Sequence, residues 1–179
     1  LPKAARIRHH RYLLGGAGFQ AFAMWLDPAD VIFTPLPLHH SSAQIVGFST
    51  ALAAQCCFAF TERFSATRYW GEARALGATV VLYVGELCRY LVQTPQQPGE
   101  RAHGIHTMLG NGLRPDVWSA FQARFGLERI VEFYGATEGN LLLVNRDGKP
   151  GSCGRPMPIF QGPLDGLELV GYDVDEDVY

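Results

Sequence analysis

Thr79-Val80-Val81-Leu82-Tyr83-Val84 runs for six residues without a charge and without an alternating polar position. A strand with one wet face alternates apolar and polar residues, whereas a strand covered on both faces reads as a continuous apolar run. The stretch therefore predicts an interior strand of a parallel sheet. Directly after it, Gly85-Glu86 opens a predicted helix with Leu87, Tyr90 and Leu91 facing inward. Before it, Phe64-Ser65 predicts a helix start. Ser65 is positioned to cap and Phe64 to staple onto Tyr69, while Ala66, Tyr69, Trp70, Ala73 and Leu76 share one face before Gly77.

The same alternation continues outward. Pro115 suits a first helical position, Val117, Trp118, Phe121 and Phe125 form an apolar stripe, and Gly126 can end the helix. Ile130 to Tyr134 is the next expected strand. Upstream, Val31-Ile32-Phe33-Thr34 reads as a short strand ended by Pro35 and Pro37. The segment from Ala4 to Leu26 reads as a helix loosened in its middle by Gly15, Gly16 and Gly18 and stopped by Asp27-Pro28. Strands and helices alternating at this spacing predict an α/β fold, a mostly parallel sheet flanked by helices. In such sheets ligands gather at the loops leaving the carboxyl ends of the strands.

Composition narrows the partners. With 179 residues and 47% apolar side chains, the chain can bury the core of a domain or part of a larger one. Fifteen Lys and Arg balance 17 Asp and Glu with no run of one sign, which argues against nucleic acid as a partner. Cys56, Cys57, Cys88 and Cys153 have no Cys-x-x-Cys spacing and no secretory signal is evident, so a reduced, cytoplasmic setting is expected. From Val31 to Thr61 there is no Asp, Glu, Lys or Arg. A membrane span needs about 20 predominantly apolar residues, and Gln44, Ser49, Thr50 and Gln55 interrupt the run, so a buried core helix is the stronger expectation.

The loop after Phe133 is Tyr134-Gly135-Ala136-Thr137-Glu138-Gly139-Asn140. Glycines let backbone approach a ligand, a hydroxyl can bond a phosphate oxygen, a carboxylate can hold Mg²⁺ and an aromatic ring can stack on a base. A plain glycine-rich turn has the same composition. The order of residues is more specific: Tyr134-Gly135-Ala136-Thr137-Glu138-Gly139 resembles the Tyr-Gly-x-Thr-Glu signature of the adenylate-forming superfamily. Leu1-Pro2-Lys3 resembles the end of that superfamily's phosphate loop, and Pro37-Leu38-His39-His40-Ser41 its Pro-Leu-x-His-Ser motif. The segments 83–91, 110–118 and 132–140 resemble those of the fatty acid transport protein, or very-long-chain acyl-CoA synthetase, branch. The resemblance runs from Leu1 to about Pro158, and the tail from Ile159 to Tyr179 matches less clearly.

That resemblance implies that residues 1–179 are an internal part of the large N-terminal domain of an adenylate-forming enzyme. Most of the upstream phosphate loop and the small C-terminal domain with its lysine would lie beyond both ends. It implies a fatty acid, ATP and coenzyme A as substrates and Mg²⁺ as cofactor. Peripheral association with the inner face of a membrane and a homodimer are further expectations. On the family pattern Glu138 holds Mg²⁺, Thr137 bonds the α-phosphate, Tyr134 stacks on adenine beside Gly135, and Gly110, Asn111 and Gly112 line the adenine pocket. His40 sits beside the substrate carboxylate, and Lys3 contacts phosphate on resemblance alone. Other readings of the residues stay open: His39 and His40 as helix caps, His103 and His106 as a metal pair without a Cys or acidic partner nearby, Cys56 and Cys57 as inert packing, and Trp70, Trp118 and Phe121 as core. Two rival functions stand beside the ligase, namely adenylation of an amino or aryl acid and non-catalytic delivery of fatty acid at a membrane. The chain taken alone is expected to be inactive.

Overall fold

The computed structural model describes residues 5–137, 139 and 141–156. Among the described residues seven strands form one sheet in the order β2-β1-β3-β4-β5-β6-β7. They are β1 (Val31–Thr34), β2 (Cys57–Phe60), β3 (Val80–Val84), β4 (Thr107–Asn111), β5 (Arg129–Gly135), β6 (Leu142–Asn145) and β7 (Arg155–Pro156). The pairs from β2 through β5 are parallel, and β6 and β7 add an antiparallel edge. The expected α/β architecture is the observed one. Val80, Val81, Leu82 and Tyr83 are each no more than 1% exposed, as a strand covered on both faces requires.

Among the described residues five α-helices flank the sheet: α1 (His9–Phe19), α2 (Thr50–Ala54), α3 (Tyr69–Ala75), α4 (Gly85–Gln93) and α5 (Pro115–Phe125). Helix α5 begins at Pro115 and ends at Gly126, whose φ of +70° is the left-handed conformation that glycine accepts without strain. Its Trp118, Phe121 and Phe125 are buried, and Trp70 of α3 packs on the last two rings. On the opposite face of β5, Phe133 meets Phe19 of α1 edge-on at 5.2 Å. Aromatic pairs at this separation add to plain burial.

Several local expectations are corrected. The first helix starts at His9 rather than Ala4, and its glycines do not loosen it. A Cβ on Gly16 would lie 2.3 Å from the Ser49 carbonyl oxygen, and one on Gly15 would lie 2.7 Å from Ile45. These positions are bare so that α1 can lie directly on the helical segment from Ser42 to Ala54. The Ser49 hydroxyl completes that contact by donating to the Tyr12 carbonyl at 2.6 Å. Helix α1 then continues into a π-helical turn, Gln20–Met24, closed by Trp25 at φ +51°.

The uncharged run also divides in two. A π-helical stretch, Ser42–Ser49, leads into α2, and the chain then turns at Gln55 into edge strand β2. Among the described residues no helix is long and apolar enough to cross a membrane. Helix α3 begins at Tyr69, four residues after Ser65, because Ser65 supplies its backbone carbonyl to the Tyr69 N–H rather than its hydroxyl as a cap. The Phe64–Tyr69 ring contact forms as expected. Leu76 and Tyr90 are exposed, the latter under the Arg89 guanidinium, and Cys88 takes the inward place beside Leu87 and Leu91.

At the amino ends of the strands, Asp30 gathers the fold. Its carboxylate accepts from the Thr79 hydroxyl at 2.7 Å and contacts His106 Nε2 at 3.0 Å. These contacts tie β1 to the starts of β3 and β4, far along the strands from the ends where ligands would gather.

Candidate functional site

Strands β4 and β5 end side by side at Asn111 and Gly135, and the Pro35–Ser41 turn follows the end of β1. Between these ends and α1 lies a cleft of about 970 Å³. Its walls are largely apolar: Leu14 and Phe22 from the first helical segment, Ile45 and Val46 from the π-helical stretch, and Phe133 and Leu142 from the sheet. His40, Ser41, Asn111, Gly135 and Thr137 lie along the same cleft. Both π-helical segments border it, and such wide turns recur at functional sites.

The two motifs farthest apart in sequence meet here. Thr137 Oγ1 donates to Ser41 Oγ at 3.2 Å across a separation of 96 residues. His40 Nδ1 accepts the Ser42 N–H at 3.2 Å, and its backbone carbonyl accepts from Ala43 and Gln44 at 3.0 and 3.1 Å. His40 therefore does begin the helix. With Nδ1 occupied as an acceptor, the neutral ring carries its proton on Nε2, a donor for an anion in the cleft. Capping and a role toward the ligand are compatible in one imidazole.

The turn after β4 is built by close approach. Gly112 has φ +74°, and a Cβ on Gly85 would lie 1.8 Å from the Gly112 carbonyl oxygen. A Cβ on Gly110 would lie 2.2 Å from the Tyr83 carbonyl oxygen. Of the three expected pocket residues in this turn, Asn111 lines the cleft, whereas Gly110 and Gly112 shape the backbone behind it. Tyr134 is 58% exposed and is not among the residues that line the cleft. Lys3 and Glu138 lie outside the described residues.

Four residues of this site were not legible as such. His10 and Arg11 of α1 line the cleft, and Arg11 donates to the Gly139 carbonyl, placing a guanidinium beside the signature loop. Ser41 was quoted only as a motif letter. Glu132 was likewise only a letter, yet its buried carboxylate accepts the Leu113 N–H at 2.6 Å and the Tyr83 hydroxyl at 3.3 Å. Burial pushes its carboxyl up, opposed by those two hydrogen bonds. An acidic residue inside an apolar strand was the available signal.

The alternative metal pair does not assemble. His103 Nε2 lies 3.0 Å from the Phe125 carbonyl oxygen and its ring stacks on Trp70, whereas His106 is engaged with Asp30. Among the described residues no group of three His, Cys, Asp or Glu side chains gathers to hold a metal alone. A Mg²⁺ ion that shares one carboxylate with nucleotide phosphates and water needs no such cluster.

Known proteins resemble this chain in sequence and in fold. The chain is 44% identical over 177 residues to long-chain fatty acid transport protein 2 of Rattus norvegicus, covering 99% of this chain and 28% of that protein. It is 40% identical over 175 residues to the medium/long-chain-fatty-acid–CoA ligase FadD6 of Mycobacterium tuberculosis, covering 97% of this chain and 28% of that protein. The chain thus spans just over a quarter of the length of these relatives. Among solved structures, ATP-bound MatB from Rhodopseudomonas palustris superposes with a TM-score of 0.72 at 25% identity, over 83% of this chain and 30% of that one. A benzoate CoA ligase from Burkholderia xenovorans LB400 shares the fold with a TM-score of 0.71 at 24% identity, over 83% of this chain and 32% of that one. The family described as AMP-binding enzyme matches residues 1–162, and the chain belongs to that family.

Proposed function

We propose that the whole protein is an ATP-dependent fatty acid–CoA ligase and that the cleft is where the fatty carboxylate meets the α-phosphate. The observation that supports it is the Thr137–Ser41 hydrogen bond, which joins the Thr137 hydroxyl, read here as the phosphate donor, to the His40 turn along an apolar cleft. A carboxylate oxygen attacks the α-phosphorus, and pyrophosphate leaves with the electrons of the broken P–O bond. The coenzyme A thiol then attacks the acyl carbon and loses its proton, and AMP departs.

The physical difficulty is an anion approaching a polyanion, which donors aimed at the α-phosphoryl oxygens and nearby positive charge relieve. Thr137 donates to the phosphoryl oxygen after exchanging its Ser41 partner, Tyr134 offers its ring to the adenine, and Arg11 adds positive charge. His40 Nε2–H orients the incoming carboxylate. Glu138 would hold Mg²⁺, which when bound neutralises phosphate charge. The apolar walls suit an acyl chain rather than an amino acid. Peripheral contact with the inner face of a membrane belongs to the same proposal.

The test is fatty-acid-dependent exchange of labelled pyrophosphate into ATP by the whole protein, across acyl chain lengths and with amino and aryl acids as competitors. Exchange driven by long-chain acids supports the reading. Exchange with aryl or amino acids alone moves it to another carboxylate, and stoichiometric fatty acid binding without exchange favours the carrier named by the transport-protein relatives. In the same assay the 179-residue chain alone is expected to be silent, since well-oriented intramolecular reactions can gain roughly 7–11 kcal/mol from positioning and this chain spans only 28% of the length of relatives that include a fatty-acid–CoA ligase.

His40→Ala is expected to slow adenylate formation more than thioester formation from supplied acyl-adenylate. Its partner is the free carboxylate, which no longer exists once the adenylate has formed. Parallel measurement of the two half-reactions checks this, and equal slowing would leave His40 as a helix cap only.

A further inference from the structure

We propose that Glu132 is the positioning residue for the nucleotide side of the cleft, holding the Gly110–Leu113 turn at the height of Tyr134. This inference rests on the reading above and adds to it a residue that never touches substrate. Its basis is geometric. Glu132 pairs in register with Gly110, so its side chain rises beneath the turn that follows β4. At 7% exposure it has little access to water, and it spends Oε1 on the buried Leu113 N–H and the Tyr83 hydroxyl. The three groups belong to β5, the β4–α5 turn and β3, so one carboxylate fastens three elements at their ligand-facing ends.

The buried Leu113 side chain anchors the end of the turn, but its glycines offer no side chain to fix the backbone between Asn111 and Leu113. Gly112 adopts φ +74°, and its carbonyl packs on bare Gly85, so neither glycine contributes a side chain that could fix the turn. Leu113 is 3% exposed, and an unsatisfied buried N–H there would be costly. Two residues after Glu132 on the same face of β5 comes Tyr134, the proposed adenine-stacking ring. Moving the turn would displace Asn111, which lines the cleft, relative to that ring and so disturb the nucleotide side.

The expected signature is a selective loss of nucleotide affinity. In the whole protein, Glu132→Ala should raise the KM for ATP roughly tenfold, the scale of one lost hydrogen bond to a charged group. The KM for fatty acid should stay within about twofold on the same scale. Glu132→Gln keeps an oxygen acceptor of the same reach and should restore most of the ATP affinity. Tyr83→Phe, which leaves the Leu113 bond in place, should have a smaller effect in the same direction.

A merely structural glutamate would lower the unfolding temperature and leave the KM of the folded protein unchanged, and that result overturns the proposal. So does an equal rise in both KM values. If Glu132→Ala does not fold, hydrogen exchange in the wild-type protein decides: the Leu113 amide should exchange as slowly as those of β4, and rapid exchange would show that Glu132 does not hold it. Wild-type protein lacking fatty-acid-dependent exchange would instead defeat the functional reading, so the two failures are distinct.

Discussion

Glu138→Gln in the whole protein lowers the rate of fatty-acid-dependent adenylate formation by roughly 10²–10³-fold, the range for loss of one well-placed electrostatic contact at a transition state. Mg²⁺ prefers hard anionic oxygen, and the amide keeps the shape of the side chain while removing its charge. The flanking residues Thr137 and Gly139 both line the cleft, and Arg11 holds the Gly139 carbonyl. Unfolding should be little changed, because the substitution is nearly isosteric. Pyrophosphate release under single-turnover conditions is the readout, and a rate within about twofold of wild type, far short of the expected scale, would remove Glu138 from the metal role.

The largest stability effect is expected away from the cleft, at Arg124→Ala, with a loss of about 3–5 kcal/mol, the range for breaking a buried ion pair from one side. Arg124 donates to both oxygens of Glu100 at 3.0 and 2.8 Å and to the carbonyls of Val92 and Thr94 at 2.7 Å each. Glu100 is 3% exposed, so removing the guanidinium leaves its carboxylate with the Gln97 N–H alone and takes the Arg124 donors from two carbonyls. Arg124→Lys should recover only part of the loss, since an ammonium cannot reproduce the fork. Arg124 holds the Glu100 carboxyl below its ordinary range. The pair's contribution is therefore present above the unfolded value of about 4.3 and is lost as pH falls through the lower folded value. Denaturant unfolding of the variants against pH checks both statements. A loss below about 1 kcal/mol, the level of a solvated surface pair, would contradict them.

Strand β3 was readable because it is apolar from end to end and sits between two helices, and β5 because it follows a helix with Glu132 alone interrupting the apolar run from Ile130 to Tyr134. Strand β4 was not: Thr107-Met108-Leu109-Gly110-Asn111 ends in residues that usually mark a turn, and Gly110 is there because Tyr83 leaves no room for a Cβ. The uncharged run from Val31 to Thr61 concealed a second boundary, since a continuous apolar stretch does not distinguish a buried helix from a strand. Its division at Gln55, in the left-handed conformation, is a tertiary choice. Helix faces were misjudged where a side chain has two comfortable environments, as with Tyr90, whose ring lies under Arg89.

Within the site, local motifs named Thr137, His40 and Asn111, and the fold brings all three to one cleft. The bonds that join motifs are a different matter. Thr137 to Ser41 and Glu132 to Leu113 span 96 and 19 residues, and neither has a local pattern that would announce it. Glycines at 15 and 16 were read as weakening a helix when their function is contact with Ile45 and Ser49. Only the packed structure distinguishes a glycine that loosens from one that admits a neighbour.

Oxygen transfer tests the central claim most directly. Long-chain fatty acid labelled with ¹⁸O in both carboxylate oxygens is incubated with the whole protein, ATP, Mg²⁺ and coenzyme A, and the AMP is analysed by mass spectrometry. Because a carboxylate oxygen becomes the bridge to the α-phosphorus and leaves with it, each AMP formed should carry one ¹⁸O. Unlabelled AMP, or label appearing in ADP or inorganic phosphate instead, would contradict the acyl-adenylate and with it the role given to the cleft.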